Sequence, residues 1–121
     1  MREFKVAWSP PALQDYIDLI DYVAADAPLT ALRVSERIER SAQSLHRFPQ
    51  RGRRLPELMD DPDLALMFEG VELRELVVKP WRLIYWIDGD RVTLVALIDS
   101  RMDGTAWMER QLPALLKLMK K

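Results

Sequence analysis

Arginine is the residue whose placement in this chain suggests chemistry. Arg51, Arg53 and Arg54 leave a helix-like stretch together, Arg74 and Arg82 fall in successive strand-like runs, and Arg101 follows the last of these runs. A guanidinium is planar, permanently charged and forked, so several on one concave face would hold phosphates, or the carboxylates of an acidic partner, in bidentate fashion. Trp81, Tyr85 and Trp86 stand close by in sequence and offer flat faces for stacking bases, although aromatic residues in strands more often fill cores. The competing reading of each arginine is a surface or structural ion pair. It applies best to Arg82, which is flanked by core-like residues.

Other chemistries find little support. There is no cysteine and one histidine, so thiol catalysis, disulfides and the usual zinc ligand sets are excluded. His46 stands beside Arg47 at the end of a basic stretch with no orienting carboxylate nearby in sequence, which reads as a helix-end residue rather than a base. Asp60, Asp61 and Asp63 lack the pattern of a calcium loop and read as a solvated acidic turn. Pro62-Asp63 followed by Glu75 and Lys79 fails the spacing of a metal-dependent nuclease. No metal and no cofactor are expected, and no catalytic residue is identifiable.

The 121 residues suit one domain, and a composition of 49% hydrophobic and 31% charged residues is that of a globular protein. The lack of cysteine is compatible with a reducing cytoplasm. No secretory pattern opens the chain, and no run approaches the ~18 apolar residues of a spanning helix. A net charge of −1 argues against a nucleic-acid partner, but the charge is unevenly spread. Asp15, Asp18, Asp21 and Asp26 crowd the first helix, whereas Arg33, Arg37, Arg40, Arg47, Arg51, Arg53 and Arg54 follow against only Glu36 and Glu39. Local potential is what a ligand meets.

The elements that must position these arginines are well punctuated. Alternation in Glu3 to Trp8 predicts a half-buried strand, and Ser9 with Pro10 and Pro11 predicts a capped helix start. Leu13, Tyr16, Ile17, Ile20 and Ala24 form a helical stripe, with Asp15, Asp18 and Asp21 facing outward. Asp26-Ala27-Pro28 breaks that helix and starts a second, whose stripe is Ala31, Val34, Ile38, Ala42 and Leu45. The two pack as an antiparallel hairpin. Residues 50–70 read as loop, with one helical turn at Leu64 to Phe68. Leu73 to Lys79, Leu83 to Ile87 and Val92 to Ile98 read as strands, the last two central and doubly covered, joined by a tight turn at Asp88-Gly89-Asp90. The fold class is therefore α+β, a mainly antiparallel sheet on a helical hairpin.

Beyond Gly104 lies a tail in which Thr105 to Gln111 and Ala114 to Lys120 have helical composition and Pro113 starts the second piece. A detachable cover, a dimer contact and a membrane-surface anchor are the functional readings of its apolar and basic end. A terminal helix completing the core outweighs them, because apolar helical stripes usually pack. Residues 1–103 are thus the main domain and 104–121 a helical extension of it.

An ordered set of segments resembles the RelE/ParE toxin family. These are Trp8-Ser9-Pro10, the stretch from Tyr22 to Pro28, Leu45-His46-Arg47-Phe48-Pro49 with Arg51-Gly52-Arg53, Pro56-Glu57, Arg74 to Val78, Pro80 to Tyr85, and Arg101-Met102-Asp103. The resemblance implies a β-α-α-β-β-β fold and the toxin half of a bacterial type II toxin-antitoxin pair. It also implies a cognate antitoxin lying in the toxin's groove, with Arg51, Arg53, Arg54, Arg74, Arg82 and Arg101 as target- or antitoxin-binding residues. A homodimer and a heterotetramer with the antitoxin are both open to such a protein. RelE-like members cleave messenger RNA on the ribosome; ParE-like members inhibit DNA gyrase. Where many members end in His-Gly-Arg-Arg-Asp, this chain has Asp99-Ser100-Arg101-Met102-Asp103, and a carboxylate there repels a scissile phosphate. Pro80 to Tyr85 and Pro49-Gln50-Arg51-Gly52-Arg53 look like the ParE branch. The resemblance therefore implies a cytoplasmic, plasmid-stabilising gyrase inhibitor, with the RNase and a degenerate, non-toxic partner-binding module as alternatives.

Overall fold

A computed structural model describes residues 2–102 and 104–119. Strand β1 (Lys5–Trp8) is followed by helices α1 (Pro10–Asp26) and α2 (Pro28–Ser44), then by a two-residue strand β2 (Arg53–Arg54). Short helices α3 (Pro56–Asp60) and α4 (Pro62–Met67) precede the meander β3 (Glu72–Val78), β4 (Trp81–Asp88) and β5 (Arg91–Asp99), and α5 (Gly104–Met119) completes the chain. The five strands form one sheet in the order β1-β5-β4-β3-β2. All pairings are antiparallel except β1 with β5, which is parallel; the α1–α2 hairpin carries the chain from β1 at one edge of the sheet to β2 at the other. Asp88 pairs with Arg91 across a two-residue turn, and Gly89 takes a φ of 62°, the left-handed value such turns demand.

The sheet separates two cores. On one face Leu76, Val78, Leu83, Tyr85, Val92, Leu94 and Leu97 meet Val34, Ile38, Ala42 and Leu45 of the second helix and its end, so the expected α2 stripe is buried. On the other face Leu73, Ile84, Val95, Ala96 and Ile98 meet Leu55, Phe68, Trp107, Met108 and Leu115. A register shift between Ile84 and Tyr85 on β4 makes Val95 the extra residue of β5. Central strands buried on both faces explain the near-continuous apolar runs of β4 and β5.

Three expectations are corrected. Helix α1 is turned from the predicted stripe: Leu13 and Ile17 are 44% and 43% exposed, while Ala12 is fully buried and Tyr16, Leu19 and Ile20 pack on the core. The small Ala12 lets the helix start approach the sheet, Trp8 stacks on Tyr16 at 5.0 Å, and the Tyr16 hydroxyl meets Ser35 Oγ at 2.6 Å. Asp15 consequently points inward, its Oδ2 accepting from the Leu97 amide at 3.1 Å beside the bulge. Residues 50–70 are not simply loop, because Pro56 and Pro62 each occupy a first helical turn, and Asp61 Oδ1 caps α4 by accepting from Asp63 and Leu64. The tail is one helix with Pro113 inside it, held by side chains buried on either side of the proline, Trp107 and Met108 before it and Leu115 after. Lys120 and Lys121, part of its basic end, lie outside the described residues. No described helix is long and apolar enough to cross a membrane.

Burial is the largest influence on the Asp15 carboxyl and raises its pKa; the Leu97 amide lowers it, Asp18 raises it, and the net change is upward from 3.8. A raised folded-state value favours the fold while the group is protonated, and that contribution is lost as pH rises through it. Asp15→Asn keeps an acceptor for Leu97 without the charge, so its melting temperature at neutral pH should equal or exceed that of the parent, the difference shrinking towards about pH 4. A clear loss at neutral pH in thermal melts would contradict this. Leu115→Ala should cost about 2–5 kcal/mol in denaturant unfolding, as for a buried leucine, since α5 is part of the core.

Candidate functional site

Register decides where the arginines go. In β2, Arg53 lies opposite Glu75 and Arg54 opposite Arg74. Directly opposed residues share a face, so neighbouring arginines of β2 point to different sides of the sheet. Arg82 lies opposite Val77 and therefore on the Glu75 side. The six arginines do not share one concave face, because strand alternation divides those of β2, β3 and β4.

On the α5 side Arg53, Glu75, Arg82 and Glu57 form a ladder. Arg53 Nε donates to Glu75 Oε2 at 2.6 Å, and Arg82 Nε donates to Glu75 Oε1 at 2.6 Å. The far end of the Arg82 guanidinium holds Glu57 in bidentate fashion, Nη1 to Oε2 and Nη2 to Oε1, both at 2.7 Å. The Glu75 side chain is 0% exposed and that of Arg82 8%, so each charge depends on the other for solvation. Burial is the largest influence on the Glu57 carboxyl and pushes it up, but its bonds to Arg82, its own backbone amide and the charges of Arg82 and Arg53 together bring the net shift down; Arg82 is shifted up, first by Glu57. A Cβ on Gly104, the first residue of α5, would collide with the Glu57 carboxylate, so a side chain there would push Glu57 from its place on Arg82. Arg53, with a 61% exposed side chain, is the rung that reaches solvent.

Beside that rung lies an open cleft of about 450 Å³, with Arg53, Lys79 and Arg82 in its wall and Val77 and Met102 supplying exposed apolar surface. Arg37 reaches across to the Lys79 carbonyl at 2.8 Å and so ties α2 to the cleft's hairpin. Cations over an apolar floor suit a segment that carries both carboxylates and apolar side chains. Glu57, Glu75, Val77, Lys79 and Met102 escaped the sequence reading as site residues. The signal that marks Glu75 is a carboxylate in a strand otherwise covered by apolar residues, which must have a partner.

The remaining arginines are dispersed. Arg74 donates to Glu72 at 2.8 Å and to the Gly52 carbonyl at 2.7 Å, holding the loop that carries β2. The same loop is pinned from below by Tyr85, whose hydroxyl donates to the Pro49 carbonyl at 2.6 Å and accepts from Gly52 N at 3.0 Å. Tyr85 is buried, which raises its pKa, and it is a core residue rather than a stacking platform. Trp81 and Trp86 are half-buried against the two cores. Arg51 donates to Ser44 Oγ at 2.7 Å, and Arg54 is exposed without an ion-pair partner among the described residues. Arg101 grips Asp99 at 2.7 Å on the surface and, with its backbone amide, holds that carboxyl down to about 2. Asp103, which closes the Arg101-Met102-Asp103 segment, lies outside the described residues. His46 Nδ1 meets the Phe4 carbonyl at 2.6 Å and joins the helix end to the chain before β1.

The ladder predicts opposite outcomes for its two arginines. Arg82→Ala leaves two carboxylates without their shared cation and should cost about 3–5 kcal/mol in denaturant unfolding. Arg53→Ala removes an exposed partner while Arg82 still neutralises Glu75, and should cost about 0–1 kcal/mol. Equal losses in the two variants would refute this division of roles.

Three likenesses bear on the family. The sequence model of the family described as the ParE toxin of the type II toxin-antitoxin system parDE matches residues 6–104. Toxin RelE2 of Caulobacter vibrioides is 31% identical over 94 residues, covering 78% of this chain and 91% of the relative. A chain from the solved chromosomal ParDE TA system of P. aeruginosa superposes with a TM-score of 0.59 over 80% of this chain and 96% of that one, at 14% identity, a likeness of fold. With a match across nearly the whole sheet and hairpin, the chain belongs to the ParE toxin family of type II toxin-antitoxin systems.

Proposed function

We propose that this protein is a ParE-like toxin that acts in the cytoplasm by inhibiting DNA gyrase, serves plasmid stabilisation, and is neutralised by a cognate antitoxin. The observation that carries the choice of inhibitor over nuclease is the commitment of the acid–base groups around the arginines. The Tyr85 hydroxyl is donated to a backbone carbonyl, Asp99 is held ionised by Arg101, and Glu75 and Glu57 are locked to Arg82. A nuclease that activates a ribose hydroxyl needs a base free to take its proton. Among the described residues of the ladder and its cleft none of these groups is free in that way, and His46, which keeps its Nε2 open, is not part of that cleft's lining. The match to the ParE family model points the same way, although a relative carries the name RelE2.

In this reading the antitoxin covers the cleft beside Arg53, with Lys79 adding charge and Val77 and Met102 adding apolar contact. Arg51, Arg54 and Arg101 are further surface contacts, whereas Arg74 and Arg82 act by holding β2 and the ladder in place. Induced expression without antitoxin should abolish supercoiling by gyrase while bulk messenger RNA stays intact, and purified protein should inhibit gyrase in a supercoiling assay. Rapid cleavage of messages on ribosomes, with supercoiling unaffected, would replace this reading by the RelE-like one. Growth unaffected by expression, with antitoxin still bound, would identify a non-toxic binding module.

A further inference from the structure

A second concave surface lies away from the cleft beside Arg53, where the residues leading into β1, the exit of α2 and the β4–β5 turn meet. It is an open trough of about 730 Å³, within the size range of binding pockets. Phe4, Phe48 and Ile87 form its apolar part, and Arg2, Arg47 and Arg51 its basic part. The trough is preformed. Phe4 N donates to the His46 carbonyl at 2.8 Å while His46 Nδ1 meets the Phe4 carbonyl at 2.6 Å, so both walls are tied together by one backbone bond and one ring bond.

Its charges are not balanced from within. Arg2 lies over the Phe4 ring at 4.8 Å, Arg51 bonds a hydroxyl rather than a carboxylate, and Arg47 is exposed without an ion-pair partner among the described residues. The one carboxylate in the lining, Glu72, is engaged by Arg74 at 2.8 Å. Phe48 is 55% exposed beside these cations, an aromatic ring left uncovered. Around the trough the charge is mixed: exposed Glu3, Asp88 and Asp90 stand among exposed Lys5 and Arg91 in the chain. A long polyanion would have to run past Glu3, Asp88 and Asp90 as well, whereas a short segment with one or two carboxylates meets only the guanidiniums.

We infer that this trough seats a short acidic–apolar segment of the antitoxin, one large apolar side chain packing on Phe48, Phe4 and Ile87 and flanking carboxylates binding Arg2, Arg47 and Arg51. The inference rests on the toxin reading above and adds a docking point separate from the Arg53 cleft. Carboxylates engaged by forked guanidiniums beside a buried apolar anchor give both register and affinity.

The test uses the folded full-length protein, fluorescent synthetic peptides tiling the cognate antitoxin, and the intact antitoxin as reference. One acidic–apolar peptide should bind in anisotropy titrations. Its affinity should fall at least about tenfold in the Arg2→Ala/Arg47→Ala double variant and in Phe48→Ser, as expected for lost charge-assisted bonds. These side chains are exposed, so unchanged melting curves will show that the fold is intact. A single-stranded oligonucleotide should not compete. If the intact antitoxin binds but no peptide does, or if the peptide binds both variants as well as the parent, the trough is not its seat and the inference fails while the toxin reading stands. Competition by the oligonucleotide, lost in the same variants, would overturn it in favour of nucleic acid. Failure of the intact antitoxin to bind at all would remove the toxin reading itself.

Discussion

The Glu75 carboxylate, placed in β3 between β4 and the short β2 and shielded from water, has to be neutralised, and much of the molecule's second face is arranged around that requirement. A single buried carboxylate left alone costs several kcal/mol, so Arg53 and Arg82 each take one of its oxygens. The second guanidinium then needs a partner for its far edge, which draws Glu57 and with it α3 against the sheet. Glu57 in turn occupies the space that a side chain would take where α5 begins, which Gly104 leaves open. One charge thus sets the relative positions of β2, α3 and the C-terminal helix.

This arrangement also separates rigidity from exposure. Arg82 and Arg74 are spent on internal partners, carboxylates and loop carbonyls, and hold the edge of the sheet in place. Arg53 is bonded at one nitrogen and otherwise open to solvent, so its remaining donors are both oriented and available. A surface arginine normally loses rotamer freedom when it binds. One already fixed by a buried carboxylate loses less, which suits a contact made to a partner protein.

Much of the fold was legible because its periodicities are strong. The α2 stripe from Ala31 to Leu45, the strands β3 to β5 and the turn at Gly89 follow from spacing alone. In α1 two apolar stripes compete, and the one with the larger residues, Leu13 and Ile17, was the wrong choice because close approach to the sheet selects the small Ala12. Pro56 and Pro62 were read as loop markers although Leu55-Pro56-Glu57 and Asp61-Pro62-Asp63 carry the signature of helix starts. The site was less legible still. The arginines are visible as a group, but which of them meet depends on strand parity and on a pairing between Glu57 and Arg82 across 25 positions, neither of which spacing within a segment reveals.

The sheet ends on β1, four residues long, and on β2, two residues long and both arginine. Open strand edges invite a second chain to add itself by backbone pairing, and short edges bearing like charges resist it. A protein made to be bound by another chain will spend time without it whenever that chain is removed. Its margins are cut short and carry Lys5 on one side and Arg53 and Arg54 on the other, which disfavours pairing between copies through their own strands.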